Sequence, residues 1–203
     1  RLADELAARA EVAYFSSDVF PKFGKAFFSA TRKAPALKWL HVFNAGVDHP
    51  IFASILERGV RLTTSSGTAS APIAQTAIAG MLYLDPRLAG KTLTIFGFGK
   101  IGGEIARLAR LLGLRVIGVR RNPQPSAHAD EVLPPARLHE ALARSDWLAV
   151  ACPLTPETRG AIDAAALAAL PRGARVLNIA RGEVIDEPAL IAALQAEIGR
   201  AHV

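Results

Sequence analysis

One segment constrains the fold of this chain more than any other. Residues 92–121 consist of an apolar stretch, a glycine-rich turn, a stretch with a periodic apolar face and a second apolar stretch that ends on two arginines. The pattern predicts a strand over 92–96, the turn GFGKIG, a helix over 101–112 and a strand over 115–119. Such a βαβ unit belongs in a parallel sheet, because the helix carries the chain back to the edge where it started. The sequence is therefore predicted to be of the α/β class.

The three glycines of the turn have separate tasks in a dinucleotide site. Gly97 allows the tight turn, Gly99 lets the backbone approach a pyrophosphate, and Gly102 lets the helix lie close to the strand. The helix that follows points its first-turn N–H groups and its positive dipole end at the phosphates. Glycine turns also occur in α/β proteins without a ligand, but here the whole strand, helix and strand context is present. A nicotinamide dinucleotide is the predicted ligand.

The residue that closes the second strand distinguishes the two nicotinamide cofactors. An acid there accepts hydrogen bonds from a ribose 2′-hydroxyl and repels a 2′-phosphate, whereas an arginine can bind that phosphate. This position is Arg120, with Arg121 next to it. The alternative is that both belong to a solvated surface, which is our interpretation of Arg107 and Arg110 on the helix. The phosphate argument favours NADP, with NAD as the second candidate.

Composition excludes several other classes. The 203 residues are 51% hydrophobic and 21% charged, which is typical of a globular protein. The net charge of +6 is spread without interleaved aromatic residues, so nucleic acid is not a predicted partner. The single cysteine, Cys152, allows no intrachain disulfide and fits a reducing, cytoplasmic location. The most apolar stretch, residues 73–84, is too short to cross a membrane. No metal site is predicted.

Strand and helix patterns alternate along the chain, as in parallel α/β folds. Strands are predicted over 12–15, 37–43, 60–63, 92–96, 115–119, 147–151 and 175–179, and helices over 2–10, 51–57, 72–84, 101–112, 138–143, 164–170 and 188–195. Residues 123–135 contain several prolines and are predicted to form a loop. Asp85 and Pro86 break the preceding helix and are the candidate boundary between two domains, 1–85 and 86–196.

Three motifs together resemble one enzyme family. The segments FGFGKIG, ACPLTPETRG and LNIARGEVIDEPAL, in this order and spacing, resemble the D-isomer-specific 2-hydroxyacid dehydrogenases, which include glyoxylate/hydroxypyruvate reductases and D-lactate and phosphoglycerate dehydrogenases. The earlier segment LKWLHVFNAGVDH is similar to the substrate-domain loop of the same family. The resemblance implies an incomplete Rossmann-type dinucleotide-binding domain over 86–196, beside a partial flavodoxin-like substrate domain over 1–85.

The resemblance also implies roles for individual residues. Arg181 matches the catalytic arginine that binds the 2-oxoacid carboxylate and polarises its carbonyl, a task suited to a guanidinium fork; a surface arginine is the alternative. Ala45, Gly46 and Val47 match the loop whose N–H groups meet that carboxylate, although an ordinary glycine turn would look the same. The cofactor-binding residues that the resemblance adds are Lys100, Ile101, Cys152, Pro153, Thr158 and Ala180. We interpret Cys152 as a small apolar wall rather than a nucleophile, because no motif places a base beside it.

Reduction of a ketone needs a proton donor, which a histidine held by a glutamate supplies in this family. The resemblance puts both downstream of residue 186, beyond the end of this chain. His41 and His49 flank the substrate loop, where a structural role is the simpler interpretation. Together with Arg120 and Arg121, the resemblance thus implies NADPH-dependent reduction of a small 2-oxoacid, such as glyoxylate or hydroxypyruvate, by an intact homodimeric parent. The alternative is a non-catalytic dinucleotide-binding module or an inactive fragment.

The last seven residues, EIGRAHV, do not resemble the family's continuation. They are similar to one reading frame of a common short-read sequencing adapter. We hypothesise that residues 197–203 are an assembly artefact, which resequencing of the source DNA would test.

Overall fold

A computed structural model describes residues 4–196 and 200–202. The chain divides into two compact units between Thr68 and Ala69. The first unit contains helices α1 (Asp4–Arg9), α2 (Gly24–Lys33) and α3 (Pro50–Leu56) and strands β1 (Val12–Phe15), β2 (Trp39–Val42) and β3 (Arg61–Thr64). The second contains helices α4 (Ser70–Leu84), α5 (Lys100–Leu111), α6 (Leu138–Leu142), α7 (Ala164–Ala169) and α8 (Glu187–Gln195) and strands β4 (Thr92–Phe96), β5 (Arg115–Val119), β6 (Glu131–Leu133), β7 (Trp147–Val150), β8 (Arg175–Asn178) and β9 (Arg200–His202).

The first unit is built on a parallel sheet in the order β1-β2-β3. Alternate residues of each strand point to opposite faces, and the buried face contains Phe15, Leu40 and Val42. These side chains pack with Phe52 and Ile55, which α3 turns toward the sheet. The unit therefore has its own apolar core.

The second unit is a six-stranded parallel sheet in the order β6-β5-β4-β7-β8-β9. If β4 to β9 are renumbered 1 to 6 along the chain, the order is 3-2-1-4-5-6. This is the arrangement of doubly wound dinucleotide-binding domains. Strand β7 is apolar and buried along its whole length, as expected for a strand covered on both faces. The predicted α/β class with a Rossmann-type parallel sheet is confirmed.

Helix α4 belongs to the second unit. It buries Ala74, Ala77 and Met81 in the same core as Ile105 and Ala109 of α5. The structure thus places the division between units one helix earlier than the predicted boundary at residues 85 and 86. That boundary marks the end of α4 instead, where the residue before a proline leaves the helical conformation.

The end of α4 is fixed by an ion cluster around the buried Asp85. The Asp85 carboxylate accepts hydrogen bonds from Lys91, from an Arg175 guanidinium nitrogen at 2.8 Å and from the Arg87 backbone N–H at 3.2 Å. The hydrogen bond from Lys91 is the main reason why the pKa of Asp85 lies below its ordinary value. Arg175 also lies over the Trp147 ring, 5.4 Å from its centroid. The cluster ties the helix to the amino ends of β7 and β8.

Helix α2 and strand β6 differ from the predictions. Helix α2 was not predicted, although Phe27 and Phe28 give it an apolar face that packs on Phe15. The loop predicted over 123–135 is interrupted by the edge strand β6, which pairs with β5 from Glu131 to Leu133. The flanking prolines hide so short a strand from a pattern search.

The hypothesis about the final seven residues falls mostly outside the described part of the chain. Residues 197–199 and 203 lie outside it, and Arg200–His202 pair with β8 as strand β9. None of the helices described is both long and apolar enough to cross a bilayer.

Candidate functional site

Four loops of the second unit begin at one edge of the sheet. The pairing register aligns Val119, Phe96, Val150 and Asn178, the last residues of the neighbouring strands β5, β4, β7 and β8. The glycine turn, the two arginines and both motif loops therefore leave the sheet side by side. The carboxyl edge of a parallel sheet, next to the point where the strand order reverses, is where α/β proteins bind ligands. Here that point lies between β4 and β7.

The glycine turn has the geometry that a close approach of backbone requires. Gly97 has φ +106°, and a Cβ atom on it would lie 2.2 Å from the Cys152 backbone nitrogen. A Cβ on Gly102 would lie 2.3 Å from the Gly97 oxygen. Gly99 is different, because a Cβ there would meet no atom within 4 Å. Two glycines are needed for packing, whereas Gly99 leaves its backbone open beside the cleft.

The turn is anchored to strand β5. The N–H groups of Gly97 and Phe98 both donate to the Val119 carbonyl, at 3.0 and 3.1 Å. The Phe98 ring is buried against Gly118, where a Cβ would come within 2.5 Å of the ring. Helix α5 begins directly after the turn at Lys100, so its first turn faces the same edge.

The loops enclose a cleft of about 470 Å³. Its walls include the predicted cofactor residues Gly97, Gly99, Arg120, Arg121, Cys152, Pro153 and Thr158. Lys100, Ile101 and Gly102 are not among the lining residues but form the start of the helix next to it. Ala180 and Arg181 lie on the loop after β8 and are also absent from the lining. Most of the predicted cofactor residues are thus brought together, and the arginine proposed for the oxoacid stands apart from them.

The loop after β7 is held by its own threonines. The Thr158 hydroxyl donates to the Pro153 carbonyl at 2.7 Å, and the Thr155 backbone N–H donates to the Thr158 hydroxyl at 2.8 Å. The Arg159 N–H donates to the Thr155 carbonyl at 3.0 Å. Thr158 therefore shapes the wall of the cleft through its hydroxyl, a role that its position in the motif did not reveal.

Cys152 has the environment of an apolar wall. The residue is buried, and burial raises the pKa of its thiol to about 11. A thiol with such a pKa stays protonated at neutral pH and is a poor nucleophile. The interpretation of Cys152 as part of the wall fits this environment.

The arginine loop is tied to the strand before it and to the neighbouring loop. The Asn178 side chain accepts from the Ala180 N–H at 2.9 Å and donates to the Arg181 carbonyl at 2.9 Å. Gly160 donates its N–H to the Glu183 carbonyl at 2.8 Å, which joins the two loops. The Arg181 side chain is exposed, and one guanidinium nitrogen donates to the Ala180 carbonyl. A rigid turn therefore presents an accessible guanidinium at the carboxyl edge.

The loop residues predicted to meet the oxoacid carboxylate lie in the first unit. Ala45, Gly46 and Val47 follow β2, and the Asn44 side chain donates to the Gly46 carbonyl. His41 is engaged within the sheet, where its ring nitrogens lie 2.8 Å from the Thr63 hydroxyl and 3.0 Å from the Ser65 hydroxyl. The His49 ring accepts the Ile51 N–H as the cap of α3.

Several lining residues were not predicted. They are Phe96, Phe98, Val119, Asn122, Pro135, Ala151, Thr155 and Glu157. Asn122, Thr155 and Glu157 are each within two residues of a predicted position, so proximity to a motif was the one available signal. Pro135 follows the unpredicted strand β6, and no sequence signal marked it as a lining residue. Within residues 4–196 and 200–202, no cluster of three or more histidine, cysteine or acidic side chains could hold a metal ion.

Comparison with known proteins places these features in one family. The model for the D-isomer specific 2-hydroxyacid dehydrogenase, NAD binding domain, matches residues 68–202. The chain is 38% identical to D-3-phosphoglycerate dehydrogenase 2, chloroplastic, of Arabidopsis thaliana over 120 residues, which are 57% of this chain and 19% of the relative. It is 40% identical to a glyoxylate reductase of Thermococcus kodakarensis over 106 residues, 52% of this chain and 32% of the relative.

A solved structure extends the similarity over both units. It is a D-isomer specific 2-hydroxyacid dehydrogenase from Xanthobacter autotrophicus Py2 in complex with NADPH and MES, with a TM-score of 0.76 and 27% identity. The alignment covers 96% of this chain and 66% of that one. The chain therefore spans about a fifth to a third of the curated relatives and about two thirds of the solved structure. With the matched domain, the strand order and the glycine turn in agreement, the chain belongs to the D-isomer-specific 2-hydroxyacid dehydrogenases, a family of NAD(P)-dependent oxidoreductases.

Proposed function

We propose that this chain binds NADPH in the cleft and takes part in the reduction of a small 2-oxoacid, of the glyoxylate or hydroxypyruvate type, to the D-2-hydroxyacid. The observation that carries the proposal is the position of Arg120 and Arg121 in the cleft, directly after β5. Among the salt bridges of residues 4–196 and 200–202, none involves either guanidinium. A pair of cations next to a glycine turn suits a 2′-phosphate better than a ribose hydroxyl.

The cleft fits the rest of the dinucleotide as well. The backbone at Gly99 has open space where a side chain would lie, and the α5 helix begins one residue later. A helix start beside open backbone is suited to a pyrophosphate, because the first N–H groups of a helix have no acceptor within it. The apolar side chains of Cys152 and Pro153 offer a wall to a ring.

Arg181 is the residue that we assign to the oxoacid. Its exposed guanidinium stands on a turn fixed by Asn178, and a fork of N–H donors matches a planar carboxylate. NADPH, when bound, would supply the hydride. Arg181 would orient the acid and draw electron density from its carbonyl oxygen. Binding of the carboxylate by the N–H groups at Ala45, Gly46 and Val47 stays a prediction. The glyoxylate reductase relative and the NADPH in the Xanthobacter structure support this choice.

Nucleotide binding tests the proposal directly. NADPH and NADH are titrated into the full chain and followed by nicotinamide fluorescence, and glyoxylate-dependent oxidation of NADPH is measured on the same preparation. Arg120→Gln and Arg121→Gln should each weaken NADPH binding by about 10- to 100-fold, the worth of a charged hydrogen bond, and leave NADH nearly unchanged. Arg115→Gln is the matched control, because it removes the same charge from the opposite end of β5. If the Arg120 and Arg121 variants lost equal affinity for NADPH and NADH, the NADPH assignment would be contradicted.

A second candidate is a module that binds the dinucleotide without turning over substrate. Turnover needs a proton donor, and the two histidines beside the predicted substrate loop have structural contacts instead. His41 is bonded to two hydroxyls and His49 caps a helix, which favours this candidate. Saturable NADPH binding without glyoxylate reduction would select this candidate. Turnover that depends on Arg181 would select the reductase.

We also infer that the reductase is a homodimer in the cytoplasm. Sedimentation of the purified chain tests the dimer, and fractionation of the source cells tests the location.

A further inference from the structure

The cleft contains an acid that the proposed function does not use. Among the described residues that line it, the charged ones are Arg120, Arg121 and Glu157. The arginines directly follow β5, whereas Glu157 comes from the loop after β7. A carboxylate in a cleft for a polyanion opposes binding, because like charges repel.

The loop holds Glu157 in place. It lies between Thr155 and Thr158, whose hydroxyls are 3.2 Å apart, and the loop is closed by the Arg159 N–H bond to the Thr155 carbonyl. The loop is joined in turn to the arginine loop by the bond from Gly160 to Glu183. The carboxylate is therefore attached to a constrained turn rather than to a free surface segment.

Glu157 and Arg121 interact electrostatically. A hydrogen bond from Thr155 is the main reason why the pKa of Glu157 lies below its ordinary value, and the positive charge of Arg121 lowers that pKa further. Glu157 is thus ionised at neutral pH and acts on Arg121 in return. The guanidinium that would bind a 2′-phosphate already has an anion in the same cleft.

We propose that Glu157 sets the selectivity of the cleft between the two nicotinamide dinucleotides. Its carboxylate competes with the 2′-phosphate for Arg121 and repels that phosphate, so it weakens the preference for NADPH that Arg120 and Arg121 create. NADH has a ribose hydroxyl at that position and is affected little. This inference rests on the proposed dinucleotide site.

Dissociation constants for NADPH and NADH test the role of Glu157. We expect Glu157→Gln, which keeps an acceptor for Thr155, to tighten NADPH binding about three- to tenfold at low salt and to change NADH binding less than about twofold. The gain should shrink in high salt, and it should be clearly smaller in an Arg121→Gln background. Glu187→Gln is the control for net charge, since Glu187 is an exposed acid at the start of α8 and does not line the cleft.

The outcomes separate this inference from the proposed function. If the wild-type chain binds neither nucleotide, both proposals fail. If it binds NADPH and Glu157→Gln leaves the ratio of the two constants unchanged, only the role of Glu157 is refuted. An equal gain with and without Arg121 would overturn the competition for that guanidinium.

Discussion

Gly118 lies so close to the Phe98 ring that a Cβ on Gly118 would be 2.5 Å from the ring. The ring is buried and belongs to the glycine turn, so it has no free direction in which to move. We expect Gly118→Ala to lower the free energy of unfolding by about 1–3 kcal/mol through overpacking, and to weaken NADPH binding because the turn is displaced. Urea unfolding followed by Trp147 fluorescence, in a Trp39→Phe background, measures the first effect.

Gly103→Ala is the control for Gly118→Ala. Gly103 lies in α5, and a Cβ there would meet no atom within 4 Å. Alanine should raise stability by up to about 1 kcal/mol, because glycine is a poor helix former. Unchanged stability in Gly118→Ala would show that the sheet and the turn can separate at no cost.

The glycines of the turn should divide into two groups. Gly102→Ala would place a Cβ 2.3 Å from the Gly97 oxygen, so we expect a fall of several degrees in Tm. Gly99→Ala enters open space and should leave Tm nearly unchanged while weakening NADPH binding. Thermal unfolding and nucleotide titration of both variants check this pattern. Equal thermal destabilisation in the two variants would be inconsistent with the geometry.

Asp85 should contribute to stability in a pH-dependent manner. Its pKa in the folded chain lies below the ordinary value of 3.8, so the unfolded chain binds more protons and stability rises with pH. The contribution is fully present above about pH 5 and is lost as the pH falls through the folded pKa. Asp85→Asn should cost about 2–4 kcal/mol at neutral pH, since Lys91 and Arg175 lose their anion.

Urea unfolding at neutral pH and at about pH 3 measures the effect of Asp85→Asn. The difference between the variant and the wild-type chain should shrink at the lower pH. A difference of the same size at both pH values would show that Asp85 acts through packing alone.

Cys152 should resist alkylation in the folded chain. Its pKa of about 11, against the ordinary 9.0, leaves about a hundredfold less thiolate near pH 8, and burial restricts access further. Iodoacetamide labelling followed by mass spectrometry should be at least about a hundredfold slower in buffer than in denaturant. Because Cys152 is the only cysteine, the signal belongs to one residue, and Cys152→Ala gives the background. Rapid labelling of the folded chain would contradict the description of Cys152 as an inert wall.

Local patterns predicted most elements of the second unit, because its strands are buried apolar runs and its turn carries three glycines. They could not predict which strands are neighbours. Glu157 and Arg121 are 36 positions apart and share a cleft only because β5, β4 and β7 lie side by side. Their interaction was therefore invisible in the sequence. The assignments of Arg181 and of Ala45, Gly46 and Val47 stay predictions, since they depend on a bound acid.

The compact units divide one helix before the predicted domain boundary for a different reason. Proline at residue 86 gave a strong local signal for a break, whereas the packing of α4 on α5 depends on alanines that have no distinctive pattern. Strand β6 and helix α2 were missed in the same way, because partners distant in sequence stabilise them.

The alignment of Val119, Phe96, Val150 and Asn178 across the sheet also sets a spacing. Strands β5 and β8 are three strand spacings apart, or roughly 14 Å at about 4.8 Å each. Substitutions after β5 and after β8 are thus far enough apart for their energies to add. Substitutions can consequently change the nucleotide preference without changing the oxoacid preference, and the reverse. Evolution or redesign can therefore alter the two preferences separately at this sheet edge.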